Sequence, residues 1–161
     1  MTTVRRAREH GTDVIRVQGF SLIELMVTIA ILAIVAGIGY PSFQGLLATQ
    51  RVRAAASALY DSMIIARSEA LKNNANATFA VAGSDLSKGW TVQVGAQSVH
   101  SQSPLAGLSF SPANPAITYG ATGRLIAGAN AAITVTASGT DVQRCIRLDT
   151  TGRPRLTEGA C

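Results

Sequence analysis

The sequence contains few of the residues from which catalytic and metal-binding sites are usually built. Only 14% of the 161 residues are charged and 5% are aromatic, and there are two histidines and two cysteines. His10 precedes a long apolar segment and His100 lies in a stretch rich in serine and glutamine, so no nucleophile–base pair is indicated. Cysteine and histidine spacings typical of zinc sites are absent from the sequence, as is a phosphate-binding loop. We therefore expect neither an enzyme nor a protein with a metal or a cofactor.

The two cysteines, Cys145 and Cys161, both lie close to the C-terminal end of the sequence. In an exported chain, such a pair predicts a disulfide that ties down the C-terminal segment. Loop closure would assign this disulfide a stabilisation of roughly 3 kcal/mol. The alternative is a pair of free, buried thiols.

A long apolar segment near the N-terminus dominates the rest of the pattern. No residue is charged between Leu25 and Tyr40, and the stretch from Phe20 to Phe43 is interrupted mainly by Glu24. About 20 apolar residues span the hydrocarbon core of a bilayer, so a transmembrane helix is predicted. Four arginines precede the segment, which predicts a cytoplasmic N-terminus. An ordinary secretory signal is the main alternative, but its apolar core would be shorter and followed by small residues.

Gly19 and the residues after it resemble the processing site of type IV prepilins. The segment reads Gly-Phe-Ser-Leu-Ile-Glu-Leu from Gly19 onward. In that family a prepilin peptidase cuts after the glycine and the new N-terminal phenylalanine is methylated, which implies cleavage at Gly19 and methylation of Phe20. Glu24 would become the fifth mature residue, which in the family pairs with the N-terminal amine of a neighbouring subunit during assembly. The alternative for Glu24 is an acid at the membrane interface.

Beyond Pro41, where pilins often have a helix-kinking proline, the apolar residues follow a helical stripe. Intervals of three and four residues separate Val52, Ala56, Leu59, Met63, Ala66 and Ala70. This spacing predicts an amphipathic helix that packs a globular domain on one face and ends near Asn73-Asn74. The predicted divisions are a leader peptide over 1–19, a transmembrane and assembly half of the helix over 20–48, an amphipathic half over 49–73 and a β-rich globular domain over 74–161.

The C-terminal half of the sequence predicts short strands. Six segments alternate or are β-branched and are separated by Gly, Asn, Pro and Ser: 77–82, 90–94, 117–119, 124–126, 132–136 and 145–148. Residues 98–115 contain three prolines and are predicted to be an irregular, loop-rich excursion. No internal repeat is evident. The predicted fold class is α+β, with a long N-terminal helix packed on a small antiparallel β-sheet domain, which is the type IV pilin fold that the resemblance implies.

A second resemblance narrows the family. Residues 66–73, Ala-Arg-Ser-Glu-Ala-Leu-Lys-Asn, resemble a segment of the FimT/GspH family of minor pilins and pseudopilins, and Trp90 after Gly89 fits the layout of that family. The resemblance implies a single-pass inner-membrane protein with a cytoplasmic N-terminus and a periplasmic C-terminal domain. It also implies later assembly with other pilins into an extracellular filament.

The candidate binding motif is Gly152-Arg153-Pro154-Arg155. Because Pro154 favours an extended residue before it, the two arginines are predicted to point to the same side, about 6.6 Å apart. Guanidinium groups held in this way suit phosphate groups, and Arg144 and Arg147 are lesser candidates for the same patch. The alternative is a turn into a strand with solvated arginines.

The same four residues resemble the GRxR element with which FimT-type minor pilins bind DNA in natural transformation. The resemblance implies non-specific binding of double-stranded DNA by Gly152, Arg153 and Arg155. Three functions remain open: a DNA-binding minor pilin, a structural minor pilin that primes pilus assembly, and a pseudopilin of a type II secretion system. Only the first requires Arg153 and Arg155.

Overall fold

The computed structural model describes residues 19–161, and the chain divides into two compact units, Met1–Gly39 and Tyr40–Cys161. Almost all of the predicted leader therefore lies outside the described residues. The secondary structure begins with one α-helix, α1 (Leu22–Asn73). The strands that follow are β1 (Ala77–Val81), β2 (Trp90–Val94), β3 (Gln97–Gln102), β4 (Leu108–Ser111), β5 (Ile117–Tyr119), β6 (Leu125–Ala127), β7 (Ala132–Ala137), β8 (Arg144–Leu148) and β9 (Pro154–Glu158).

In the first unit, the beginning of α1 is capped by Ser21 and Glu24. The backbone N–H of Glu24 donates to Ser21 Oγ (3.2 Å), and the backbone N–H of Ser21 donates to Glu24 Oε2 (3.4 Å). This reciprocal pair is a capping box, which satisfies two backbone donors that the first helical turn leaves open. The large apolar side chains between Leu22 and Val35 are exposed.

A membrane span is not evident in the structure. Within residues 19–161, no helix combines the length and the hydropathy that crossing a bilayer requires.

The second unit contains the amphipathic part of α1, and here the sequence prediction is confirmed. All six residues of the predicted stripe are fully buried. The helix ends at Asn73 as predicted. Asn74 follows in the left-handed conformation (φ 47°), and Ala75 N–H donates to the carbonyl oxygen of Ala70 (3.2 Å). This arrangement is the Schellman motif, which closes the carbonyl groups of the last turn.

Two antiparallel sheets complete this unit. The strand order is β3-β2-β1-β5-β6 in one sheet and β4-β7-β8-β9 in the other. Their inner side chains form one apolar core with the buried stripe of α1, centred on Leu59, Trp90, Tyr119 and Ile146. The predicted α+β fold is therefore confirmed.

Six strands lie where the sequence predicted them, with ends that differ by one residue at most. The prediction for residues 98–115 was wrong, because that stretch contains most of β3 and all of β4. In β4 the buried residues Leu108 and Phe110 alternate with exposed serines, a pattern only four residues long. Strand β3 is largely polar because it lies at the edge of its sheet.

One buried hydroxyl fastens the helix to the five-stranded sheet. Ser62 Oγ accepts a hydrogen bond from Trp90 Nε1 (2.9 Å), donates to the carbonyl oxygen of Ala58 (2.7 Å) and lies 3.0 Å from His100 Nε2. Since the single hydroxyl proton is used by Ala58, we assign His100 Nε2 as a donor. The fold thus brings together a serine and a histidine that the sequence did not pair. Ser62 is fully buried and its proton is committed to the backbone, so the pair is structural.

We expect Ser62→Ala to lower the free energy of unfolding by about 1–3 kcal/mol, because the buried Trp90 N–H would lose its acceptor. Ser57→Ala, at an exposed position of the same helix, is the control and should change the stability by less than about 0.5 kcal/mol. Urea denaturation followed by the fluorescence of the single tryptophan measures both. Equal stabilities of the two variants would contradict the assignment.

Candidate functional site

The candidate motif lies on the turn that joins β8 to β9. The turn is closed by hydrogen bonds from Gly152 N–H to the carbonyl oxygen of Asp149 (3.0 Å) and from Asp149 N–H to that of Arg153 (3.3 Å). Asp149 Oδ1 also accepts from the hydroxyl and the backbone N–H of Thr151 (2.6 and 2.9 Å) and from the backbone N–H of Arg153 (2.9 Å).

The carboxylate of Asp149 therefore belongs to the turn itself. The hydrogen bond from the Thr151 hydroxyl, followed by that from the Arg153 backbone, lowers the pKa of Asp149, and the charge of Arg155 adds a smaller effect. Asp149 and Gly152 stand at the first and fourth positions of a four-residue turn, a pattern typical of tight turns, and this pattern is the sequence signal for the structural role of Asp149.

Within the motif, position 152 accommodates only glycine. Its φ is +80°, and a Cβ atom there would lie 2.5 Å from the carbonyl oxygen of Gly123 and 2.9 Å from Cε1 of Tyr119. Glycine is thus required both by the backbone conformation and by close packing against the turn between β5 and β6. Tyr119 beneath it is fully buried, and burial raises the pKa of its hydroxyl to about 12.

Arg153 and Arg155 are both exposed and stand on either side of the buried Pro154. Pro154 pairs with Leu148 on the inner face of the sheet, which directs the neighbouring side chains outward. Neither arginine forms an ion pair with any residue between 19 and 161. Their guanidinium groups are therefore available to an external anion.

The two lesser candidates are separated by the fold. Arg144 lies on the same face of β8 as the buried Ile146 and forms an ion pair with Glu158 (2.8 Å). Arg147 lies on the opposite face, directly across from Arg155. Of the two, only Arg147 therefore lies on the same face of the sheet as Arg155. The prediction that Arg144 joins the same patch as Arg147 was wrong.

A small cavity lies beside Arg147 and Arg155. Its volume is about 270 Å³, and Asn130, Ala132 and Asp149 contribute to its lining. Arg147 Nη2 also donates to the carbonyl oxygen of Cys161. Two like charges directly opposite each other on a sheet destabilise it, so an anion bound between Arg147 and Arg155 would relieve their repulsion.

The predicted disulfide between Cys145 and Cys161 is present, which excludes the alternative of two free thiols. Cys145 is buried in β8, and Cys161 N–H donates to Thr134 Oγ1 on the neighbouring strand β7 (3.0 Å). The disulfide and this hydrogen bond hold the segment after β9 against the four-stranded sheet.

The predicted processing and assembly residues lie in the first unit. Gly19 and Phe20 are exposed, and the carboxylate of Glu24 is engaged in the capping box. The pairing of Glu24 with a neighbouring subunit and the cleavage after Gly19 stay predictions. Helix α1 continues through Pro41.

Comparisons with known proteins identify the family. The family model described as type II transport protein GspH matches residues 55–152, more than half of the chain, and the model of the prokaryotic N-terminal methylation motif matches residues 15–40. No curated protein matches the sequence.

Solved structures have a similar fold. The type IV minor pilin FimU of Pseudomonas aeruginosa is 23% identical, with a TM-score of 0.57 over 65% of this chain and 91% of that chain. A second crystal form of FimU gives 22% identity and a TM-score of 0.56, over 67% of this chain and 89% of that chain. The minor pseudopilin EpsH of the type 2 secretion system of Vibrio cholerae is 16% identical, with a TM-score of 0.51 over 67% of this chain and 97% of that chain. The chain therefore belongs to the GspH family and combines a prokaryotic N-terminal methylation motif with a type IV pilin-like fold.

Proposed function

We propose that this protein is a minor pilin that binds extracellular double-stranded DNA without sequence preference, through Arg153 and Arg155, for DNA uptake in natural transformation. The observation that carries the proposal is the presence, beside a turn held by Asp149 and Gly152, of two exposed guanidinium groups that form no ion pair within residues 19–161. Contacts of this kind go to phosphate groups, and they weaken steeply as the salt concentration rises.

We also propose the processing, membrane anchoring and assembly steps that the N-terminal motif implies. A prepilin peptidase would cut between Gly19 and Phe20 and Phe20 would be methylated, with residues 1–19 as the leader. Residues 20–48 would hold the protein in the inner membrane as a single pass, with the C-terminal domain in the periplasm. Glu24 would then pair with the N-terminal amine of a neighbouring pilin. The methylation motif and the exposed apolar side chains of α1 support this sequence of events.

One copy of the site carries little charge. Arg147 and Arg155 line the cavity together with Asp149, so two positive charges are offset by one negative charge, and Arg153 adds one more. We expect modest affinity from a single subunit, and efficient capture of a long DNA requires several subunits of a filament.

A pseudopilin of a type II secretion system is the second candidate function. The description of the matching family as a type II transport protein favours it. In that role, as in that of a purely structural minor pilin, the partners are other pilin-like subunits, and Arg153 and Arg155 are dispensable.

Anisotropy titration of labelled duplex DNA with the full chain in non-ionic detergent micelles separates these functions. We expect Arg153→Gln/Arg155→Gln to reduce the affinity and to flatten the slope of log K against log salt by about 1.8, since each phosphate contact contributes about 0.9. Arg51→Gln/Arg53→Gln removes the same charge from exposed positions of α1 and should leave the slope unchanged. Equal losses in the two double variants, or no binding by the wild type at low salt, would favour the pseudopilin or structural role.

A further inference from the structure

Two turns of the second unit share a sequence and a backbone conformation. Thr122-Gly123-Arg124 joins β5 to β6, and Thr151-Gly152-Arg153 joins β8 to β9. Both glycines have positive φ, +71° and +80°, and both are buried, whereas both arginines are exposed. The repeat is three residues long, which explains why no internal repeat was evident in the sequence.

The first turn is closed by the same hydrogen bonds as the second. Gly123 N–H donates to the carbonyl oxygen of Gly120 (2.8 Å), and Gly120 N–H donates to that of Arg124 (2.8 Å). These bonds are the counterparts of those that join Gly152, Asp149 and Arg153. The strand predicted at 124–126 begins one residue later, and this shift places Arg124 in the turn.

The two turns belong to different sheets but touch each other. A Cβ atom on Gly152 would lie 2.5 Å from the carbonyl oxygen of Gly123, so the glycine of one turn packs directly on the glycine of the other. With consecutive Cα atoms about 3.8 Å apart, the Cα atoms of Arg124 and Arg153 are within roughly 11 Å of each other. Residues 29 positions apart in the sequence thus become neighbours at one end of the domain.

Arg124 is as available to an external anion as the two arginines of the candidate motif. It is exposed and forms no ion pair with any of the residues that the structure describes. The packed turns therefore place three exposed arginines, Arg124, Arg153 and Arg155, at the same end of the domain. The carboxylate of Asp149 accepts hydrogen bonds within its own turn. Duplex DNA carries about one phosphate per 1.7 Å of its axis, so guanidinium groups at this spacing can meet different phosphates.

We propose that Arg124 is a further phosphate-contacting residue, and that the two packed Thr-Gly-Arg turns form one binding edge for the backbone of duplex DNA. This inference rests on the function proposed above and extends it from one turn to two. Gly123 and Gly152 act as positioning residues, since their packing sets the distance between the two arginines.

Ile126 offers a test by gain of function. In the first turn, Gly123-Arg124-Leu125-Ile126 corresponds to the motif Gly-Arg-Pro-Arg, and Ile126 takes the place of Arg155. Its side chain is 61% exposed, so a longer charged side chain there meets solvent and not the core. Ile126→Arg would give the first turn a complete GRxR motif as well.

The experiment measures the salt dependence of duplex DNA binding by the full chain in detergent micelles. Arg124→Gln should flatten the slope by about 0.9, so that the affinity ratio between about 50 and 200 mM salt shrinks about 3.5-fold. Ile126→Arg should steepen the slope by the same amount. The controls are Arg53→Gln on α1 and Gln97→Arg on β3, at the opposite edge of the sheet from β6, and neither should change the slope.

The outcomes separate this inference from the proposed function. Loss of binding in Arg153→Gln/Arg155→Gln, together with wild-type behaviour of Arg124→Gln and Ile126→Arg, overturns the two-turn edge and leaves the proposed function in place. A loss in Arg124→Gln alone supports the contact by Arg124 and overturns the assignment of the GRxR motif. No duplex binding by the wild type overturns both. The backbone of Arg124, and not its side chain, makes the turn hydrogen bond, so Arg124→Gln should melt at the wild-type temperature. The slope measured for Ile126→Arg is a second test that does not depend on the stability of Arg124→Gln.

Discussion

Replacing Gly152 with alanine is expected to destabilise the second unit by about 2–5 kcal/mol. The left-handed conformation at this position (φ +80°) disfavours a residue with a Cβ by about 1–2 kcal/mol. The new methyl group would also overlap the carbonyl oxygen of Gly123 and the ring of Tyr119, and overpacking of this kind adds about 1–3 kcal/mol. Urea denaturation of the full chain in detergent, followed by the fluorescence of Trp90, measures the loss.

Gly159→Ala is the matched control for this prediction. Gly159 has nearly the same φ, +86°, but a Cβ atom there would have no atom of the described residues within 4 Å apart from those of its two chain neighbours. The control should therefore show only the backbone contribution of about 1–2 kcal/mol. The difference between the two variants isolates the packing of one turn on the other. If both variants lost the same stability, the contact between the turns would contribute nothing.

Reducing the disulfide between Cys145 and Cys161 is expected to lower the free energy of unfolding by about 3 kcal/mol. The two cysteines are 16 residues apart. Closing a loop of about this length lowers the conformational entropy of the unfolded chain by an amount equivalent to about 3 kcal/mol of stability. Paired urea titrations with and without a reductant measure the difference.

A variant with alanine at both Cys145 and Cys161 controls for effects of the reductant itself. It should unfold at the same urea concentration in both titrations, close to the reduced wild type. If the urea midpoint of the wild type did not change on complete reduction, the disulfide would contribute nothing, and the β8–β9 hairpin alone would determine the stability of this region.

Several features of the protein followed from local patterns along the chain. The buried stripe from Val52 to Ala70 could be predicted because helical periodicity records which face is buried. Six strands and the disulfide were predicted for similar reasons, since alternation and cysteine placement are also local signals. The resemblance to the GspH family rested on a short contiguous segment, residues 66–73, and the match over residues 55–152 bears out that part of the prediction.

The remaining features depend on which segments meet in space. Strands β3 and β9 lie at sheet edges. An edge strand has only one neighbouring strand and is more exposed to solvent, so its sequence shows little alternation of apolar and polar residues. Arg144 and Arg147 face opposite sides of β8 because side chains alternate along a strand, and only the folded sheet decides which side is buried.

The contact between Gly123 and Gly152 is the clearest case of a feature decided by the tertiary structure. Each Thr-Gly-Arg turn is a local structure that its own sequence specifies, and nothing in either segment indicates the other as its partner. They meet because the two sheets pack on the same helix and bring the ends of β5 and β8 together. The placement of Arg124 beside Arg153 is therefore a property of the packed core.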